Sequence, residues 1–156
     1  MKKKTDKELK ILKENFWDKV LRSGRCILAG RDCLRCEGTG ETHQNVKLIE
    51  VMCHHCSGTG RHACGGVMDA HHVIPKMTVR NASPPETREE AMWDPRNGVP
   101  LCRSGHEPVT IGTFQIPKDY FPSQLWAFAA DYSLDWWLEK EYSEGDWGDT
   151  DGRGRE

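Results

Sequence analysis

The sequence predicts a small α+β protein, built from compact lobes of short helices and strands without one large hydrophobic core. Three observations lead there. Apolar residues fill only 37% of the 156 positions while 29% are charged, and small lobes with so little apolar material need a staple such as a metal. Of the seven cysteines, four lie in two copies of one short motif. Helical periodicity marks both ends of the chain, whereas the middle carries strand-like runs and turn residues.

Residues 1–25 form the first element, a helix over 5–22. Thr5 and Glu8 fit a capping box, Leu9, Leu12, Phe16 and Val20 recur at helical spacing, and Gly24 supplies a stop. Trp17 and Leu21 widen the stripe, which is expected to pack on the rest of the protein. The first twenty residues are lysine-rich and amphipathic, without the apolar run of a signal peptide, and no segment reaches membrane-spanning length. With an odd cysteine count, these features predict a reduced, cytoplasmic protein whose thiols bind metal rather than pair as disulfides.

Residues 26–62 are a cysteine-rich insert. CLRCEGTG at 33–40 and CHHCSGTG at 53–60 share the pattern C-x-x-C-x-G-x-G. Two cysteines separated by two residues sit on a tight knuckle, so both sulfurs reach one Zn²⁺ at about 2.3 Å. The glycines open backbone conformations that turn amide N–H groups toward the thiolates. Two knuckles give a closed tetrahedral site, with Cys33, Cys36, Cys53 and Cys56 as ligands of a structural zinc. Val46, Leu48, Ile49 and Val51 between them read as strand. The segment resembles half of the cysteine-rich region of DnaJ-type chaperones, which carry four such repeats and two zinc ions. The J-domain signature and the other two repeats are absent. The insert is read first as a fold-bracing zinc ribbon; Arg31, Arg35, Lys47 and Arg61 leave open a ribbon that touches DNA. His54 and His55 are spare potential ligands beside four sufficient thiolates, and His43 and His62 are expected to face solvent.

Residues 63–112 carry the histidine constellation: DAHHVIPK, then DPRNGVPLCRSGH. Neighbouring residues on a strand point to opposite sides, so His71 and His72 cannot easily share one metal, and their roles should split. One can hold a cation with a distant histidine such as His106. The other, an imidazole with an ordinary pKa near 6.5, can take a proton from water. That is the equipment for metal-assisted phosphodiester hydrolysis. Asp69 lies two residues before His71 and faces the same side, as a hydrogen-bond partner of a ligand, a contributor to the metal shell, or a polar residue at the rim. The stretch from Arg80 to Met92 reads as a loop followed by a short helix from Pro85, and Pro108 after His106 predicts a helix that is short or starts late.

Residues 113–142 are expected to be helical in two pieces. The first opens at Pro122 and Ser123 and places Leu125, Phe128 and Ala129 on one face; the second, LDWWLEKEY, covers the core with Trp136, Trp137 and Leu138. Residues 143–156 are rich in Gly and Asp and are expected to be a disordered acidic tail. Residues 1–120 hold 19 Lys and Arg against 15 Asp and Glu, whereas residues 121–156 hold 3 against 9. The tail is either simply solvated or a cover for a basic groove.

The segment CGGVMDAHHVIPK with DPRNGVPLCRSGH resembles the HNH endonucleases, a branch of the ββα-metal nucleases, over residues 64–110. The resemblance implies a ββα-metal core with His71 and His106 as ligands of a catalytic divalent cation, His72 as general base, and Asn97 orienting the loop that holds the base. Two imidazoles plus water suit Mg²⁺, Mn²⁺, Ni²⁺ or Zn²⁺. It also implies a DNA substrate, expected to be double-stranded, with 5′-phosphate and 3′-hydroxyl products. Lys76, Arg80, Arg96 and Arg103 are candidates for nucleic-acid phosphate contacts. Many relatives have another histidine where Thr110 stands, and brace the core with two cysteine pairs where this chain keeps Cys64 and Cys102, with Gly105 in place of a cysteine. The sequence leaves open whether those two cysteines bind a second zinc, pair with histidines, or are small buried hydrophobes. Small size and mixed architecture are associated with phage and mobile-element proteins, which would act in a host cytoplasm. Two other classes remain open: a non-catalytic zinc-dependent nucleic-acid-binding protein, separable by His72→Ala, and a chaperone-like module, separable by Cys33→Ser with Cys53→Ser.

Overall fold

A computed structural model describes residues 4–44, 49–112 and 114–142. The side chain of His43, the proposed strand residues Val46 and Leu48, and the acidic tail 143–156 lie outside the described residues. The fold is α+β. Helix α1 (Asp6–Leu21) leads into an antiparallel hairpin of β1 (Glu41–Gln44) and β2 (Ile49–Met52). A second antiparallel pair, β3 (Met68–His72) and β4 (Gly98–Cys102), is separated by α2 (Lys76–Ala82), α3 (Arg88–Met92) and a 3-10 turn over Pro95–Asn97. Helix α4 (Arg103–Thr110) follows β4 directly, and α5 (Gln124–Asp131) and α6 (Asp135–Glu141) close the chain.

Local chemistry explains the start. The Thr5 hydroxyl accepts from the Glu8 N–H while the Glu8 carboxylate accepts from the Thr5 N–H at 2.7 Å, the expected capping box. Gly24, at φ +62°, ends α1 by donating to the Leu21 carbonyl. The apolar stripe does pack inward, but narrowly: Phe16 and Val20 are buried against Ala70 of β3, whereas Trp17 remains 41% exposed. Its position one residue past Phe16 turns it off the buried face.

The main core gathers Ile74, Val79, Val99, Leu101, Leu125, Phe128, Leu134 and Leu138 around β4, α2, α5 and α6. The expected face of α5 is buried, as is Leu138; Trp136 is 52% exposed and does not cover the core.

Two other expectations change, and for α4 one of two expected alternatives holds. Arg80 does not begin a loop: it lies within α2, where the Val79 N–H bonds the Pro75 carbonyl and the Ser83 N–H bonds that of Val79. The following helix starts at Arg88, after a turn in which Thr87 N–H bonds the Pro84 carbonyl. Helix α4 is short but does not start late, since Pro108 sits inside it. No helix among the described residues is long and apolar enough to cross a membrane.

Candidate active site and metal centres

The two knuckles close on one another with near two-fold symmetry. The Cys33 N–H donates to the Gly60 carbonyl at 2.8 Å and the Cys53 N–H to the Gly40 carbonyl at 2.7 Å. Gly40 N–H points at the Cys36 sulfur (3.2 Å) and Gly60 N–H at the Cys56 sulfur (3.3 Å). Gly40 and Gly60 adopt φ of +81° and +73°, and a Cβ on either would strike a carbonyl oxygen of the opposite knuckle, so the motif requires glycine there. The four sulfurs are buried and converge, with Cys33–Cys53 at 3.9 Å and Cys36–Cys56 at 3.7 Å. Those spacings match the edges of a tetrahedron of thiolates about 2.3 Å from a central Zn²⁺. The cluster fits a zinc site.

The second strand pair presents the histidines. Residues 71 and 72 of β3 face β4 residues Val99 and Gly98 in register, and the strand's alternation separates their rings. His71 turns toward α4: its ring lies 5.1 Å from that of His106, at 75°. Two imidazoles bound to one ion at about 2.1 Å and a tetrahedral angle have centroids roughly 5 Å apart. His106 Nδ1 is 2.8 Å from Asp69 Oδ2. A carboxylate only accepts, so Nδ1 carries the hydrogen and Nε2 keeps the lone pair with which an imidazole binds a metal. Of the three readings of Asp69, this geometry favours the partner of a ligand.

His72 turns the other way, onto Phe16 of α1, where the rings stack at 4.2 Å and 11°, with Trp93 edge-on at 5.4 Å. Its Nε2 is 3.0 Å from the Met92 carbonyl. Carbonyls only accept, so Nε2 donates and Nδ1 keeps its lone pair. Burial, with Lys76 nearby, lowers the His72 pKa to about 4 against the pull of that carbonyl; burial, then His106 and His72, lowers His71 to about 4 against Asp69. Both rings are neutral at neutral pH, as a ligand and a proton acceptor must be.

Asn97 is fully buried behind them. Its Oδ1 accepts from the Ile74 N–H at 2.8 Å, its Nδ2 donates to the Ile74 carbonyl at 2.9 Å, and its own carbonyl accepts from the Val73 N–H. Asn97 therefore clamps the two residues that follow His72, Ile74 through its side-chain amide and Val73 through its backbone carbonyl.

A cleft of about 810 Å³ collects Asp69, His71, His72, Lys76 and His106, walled by Trp17, Trp93, Phe114 and Trp137. A larger groove of about 1230 Å³ lies along α1 and the segment 25–31; no histidine lines it, and of the clustered cysteines Cys26 reaches its wall. Lys76 is exposed, its ammonium 4.8 Å from the Trp93 ring centroid. Arg80 and Arg103 are exposed outside the cleft lining. Arg96 lies apart from the histidine cleft: its guanidinium pairs with Asp94 at 2.7 Å and Asp131 at 2.6 Å, on the other groove.

Residues 42–108 match the family model of the HNH endonucleases. The match extends from β1 of the zinc ribbon to the middle of α4, so it includes the second cysteine knuckle as well as the histidine core. No curated protein and no solved structure matches the chain. The match covers less than half of the chain; it suggests a nuclease and implies a nucleic-acid substrate.

His62 contradicts the expectation of a solvent-facing ring. It is 6% exposed and converges with Cys26, Cys64 and Cys102. Cys102 is buried as expected, but Cys64 is exposed and is no core hydrophobe. The pattern reading passed over Cys26 and His62. The available signal was numerical: seven cysteines leave three beyond the knuckles, one histidine short of a tetrahedral set.

Proposed function

We propose that this protein is a metal-dependent endonuclease that hydrolyses DNA phosphodiester bonds, with His72 as general base and His71 and His106 as ligands of a divalent cation. The observation that carries the reading is the divergence of the two adjacent histidines. One ring meets His106 at the separation of co-ligands, and the other is tied through Nε2 and presents Nδ1.

Bound by His71 and by His106 Nε2, a divalent cation would supply charge neutralisation at the phosphate and at the departing 3′ oxygen. The chain's own residues do the rest. His72 Nδ1 removes a proton from the attacking water, and the resulting imidazolium is steadied by the Met92 carbonyl on Nε2. Phe16 stacks on the ring and prevents it from turning. Asn97 holds Val73 and Ile74, so the strand end that carries His72 keeps its direction. Asp69 fixes the tautomer of His106. Lys76, at the cleft edge, meets the phosphate backbone on either side of the scissile bond.

Nicking of supercoiled plasmid against a panel of Mg²⁺, Mn²⁺, Ni²⁺ and Zn²⁺ tests this. At least one cation should support conversion to the open circle, and His72→Ala should slow it about 10²–10⁴-fold while leaving DNA binding intact. A wild-type protein that binds DNA but nicks with none of the four ions would overturn the proposal.

A further inference from the structure

The convergence of Cys26, His62, Cys64 and Cys102 lies outside both the histidine cleft and the knuckle cluster, and neither role above uses it. The four ligand atoms all lie within 4.8 Å of one another. His62 Nε2 is 3.4 Å from the Cys102 sulfur. Three of the residues are buried, and Cys64 forms the rim. We propose that these four residues form a second structural zinc site, of the Cys₃His type, which fastens the ribbon and the end of α1 to the base of the nuclease core.

The surroundings are those of a thiolate site. The Cys102 sulfur lies 3.4 Å from His62 Nε2 and 3.2 Å from the Ser104 hydroxyl. Ser104 also donates to the Ala63 carbonyl at 2.7 Å, which ties the segment between His62 and Cys64 to the first turn of α4. Gly105 is small for a spatial reason: a Cβ there would stand 3.3 Å from His62 Nε2 and 3.0 Å from Leu28. A side chain at 105 would crowd the imidazole away from the sulfurs, so the glycine keeps the place that His62 fills. Three sulfurs and one imidazole nitrogen in a closed, mostly buried arrangement suit Zn²⁺ in a structural rather than a catalytic role.

The ligands come from three separate stretches of chain. Cys26 follows α1, His62 and Cys64 leave the ribbon, and Cys102 is the last residue of β4, where α4 begins. An ion there would cross-link them close to His106, one turn further along α4. The assignment does not depend on nuclease activity.

Cys64 makes the test direct, because it is the exposed member. The full-length protein, purified with its zinc, would be treated with N-ethylmaleimide under native conditions and the modified cysteines located by mass spectrometry. The proposal expects Cys64 to be protected until a strong chelator is added, two thiolate-bound zinc ions per chain after dialysis against a weak chelator, and an X-ray absorption spectrum with nitrogen as a minority ligand beside sulfur. Cys26→Ser should lose one zinc ion and expose Cys64 to alkylation, while the zinc held by the knuckles remains. If that variant does not fold, the wild-type alkylation and absorption measurements decide alone. Rapid alkylation of Cys64 in the zinc-loaded wild type, or a single tightly held zinc surrounded by sulfur only, would overturn the proposal.

Discussion

Each histidine of the adjacent pair is oriented by its own contacts. His72 is tied by a carbonyl on Nε2 and a stacked phenyl ring, and His71 is brought to His106, whose other nitrogen is occupied by Asp69. Asp69→Asn keeps the size of the side chain but removes the charge that makes His106 a better ligand. The cation concentration needed for half-maximal nicking should rise about 10–100-fold, read from a metal titration, with little change at saturating metal. Asn97→Ala should act through stability. It leaves the buried N–H and C=O of Ile74 without partners, at roughly 1–3 kcal/mol for each group; a chemical denaturation curve would show the loss, and an unchanged midpoint would remove the clamp from the account.

Elements matter here through close approach. Helix α1 reaches the β3–β4 strand pair because Gly98 of β4 has no side chain: a Cβ there would stand 2.9 Å from the ring of Phe16 and would strike Val20. Gly98→Ala should therefore push α1 outward and cost about 1–3 kcal/mol. It should also weaken the Phe16–His72 stack, lowering the nicking rate more than DNA binding. Thermal melting and single-turnover nicking on the same variant check both halves. Sequence patterns located α1, its cap, the knuckles, β3, α5 and α6, because capping pairs, C-x-x-C spacing and apolar periodicity are local signals. They did not locate α2. Its residues KMTVRNA contain two β-branched side chains and offer no side-chain cap. Contact with α3 and burial of Val79 in the main core support this helix, and tertiary packing overrides weak propensity there.

At the scale of the molecule, the formal charge of −2 gives no general attraction to nucleic acid, so binding must come from placed cations. Lys76 lies on the cleft that holds the histidines, and Arg96 is neutralised elsewhere. Lys76→Ala should weaken binding to duplexes of unrelated sequence alike and reduce the slope of log affinity against log salt by about one. Arg96→Ala should leave that slope unchanged. Fluorescence anisotropy across a salt series separates the two; equal effects would place the DNA on a different face.

The sequence by itself determined what local spacing can encode: four thiols on two glycine-backed knuckles, a histidine pair split by strand alternation, an asparagine and a third histidine at HNH spacing. Only the tertiary structure decided which charges are free, as when Arg96 meets Asp131 from thirty-five positions away, and which distant residues share a centre, as Cys26 and His62 do with Cys102. The physical reason is that spacing along the chain constrains a side chain's direction over a few residues. Burial, ion pairing and convergence depend on segments that the chain brings together only when it folds.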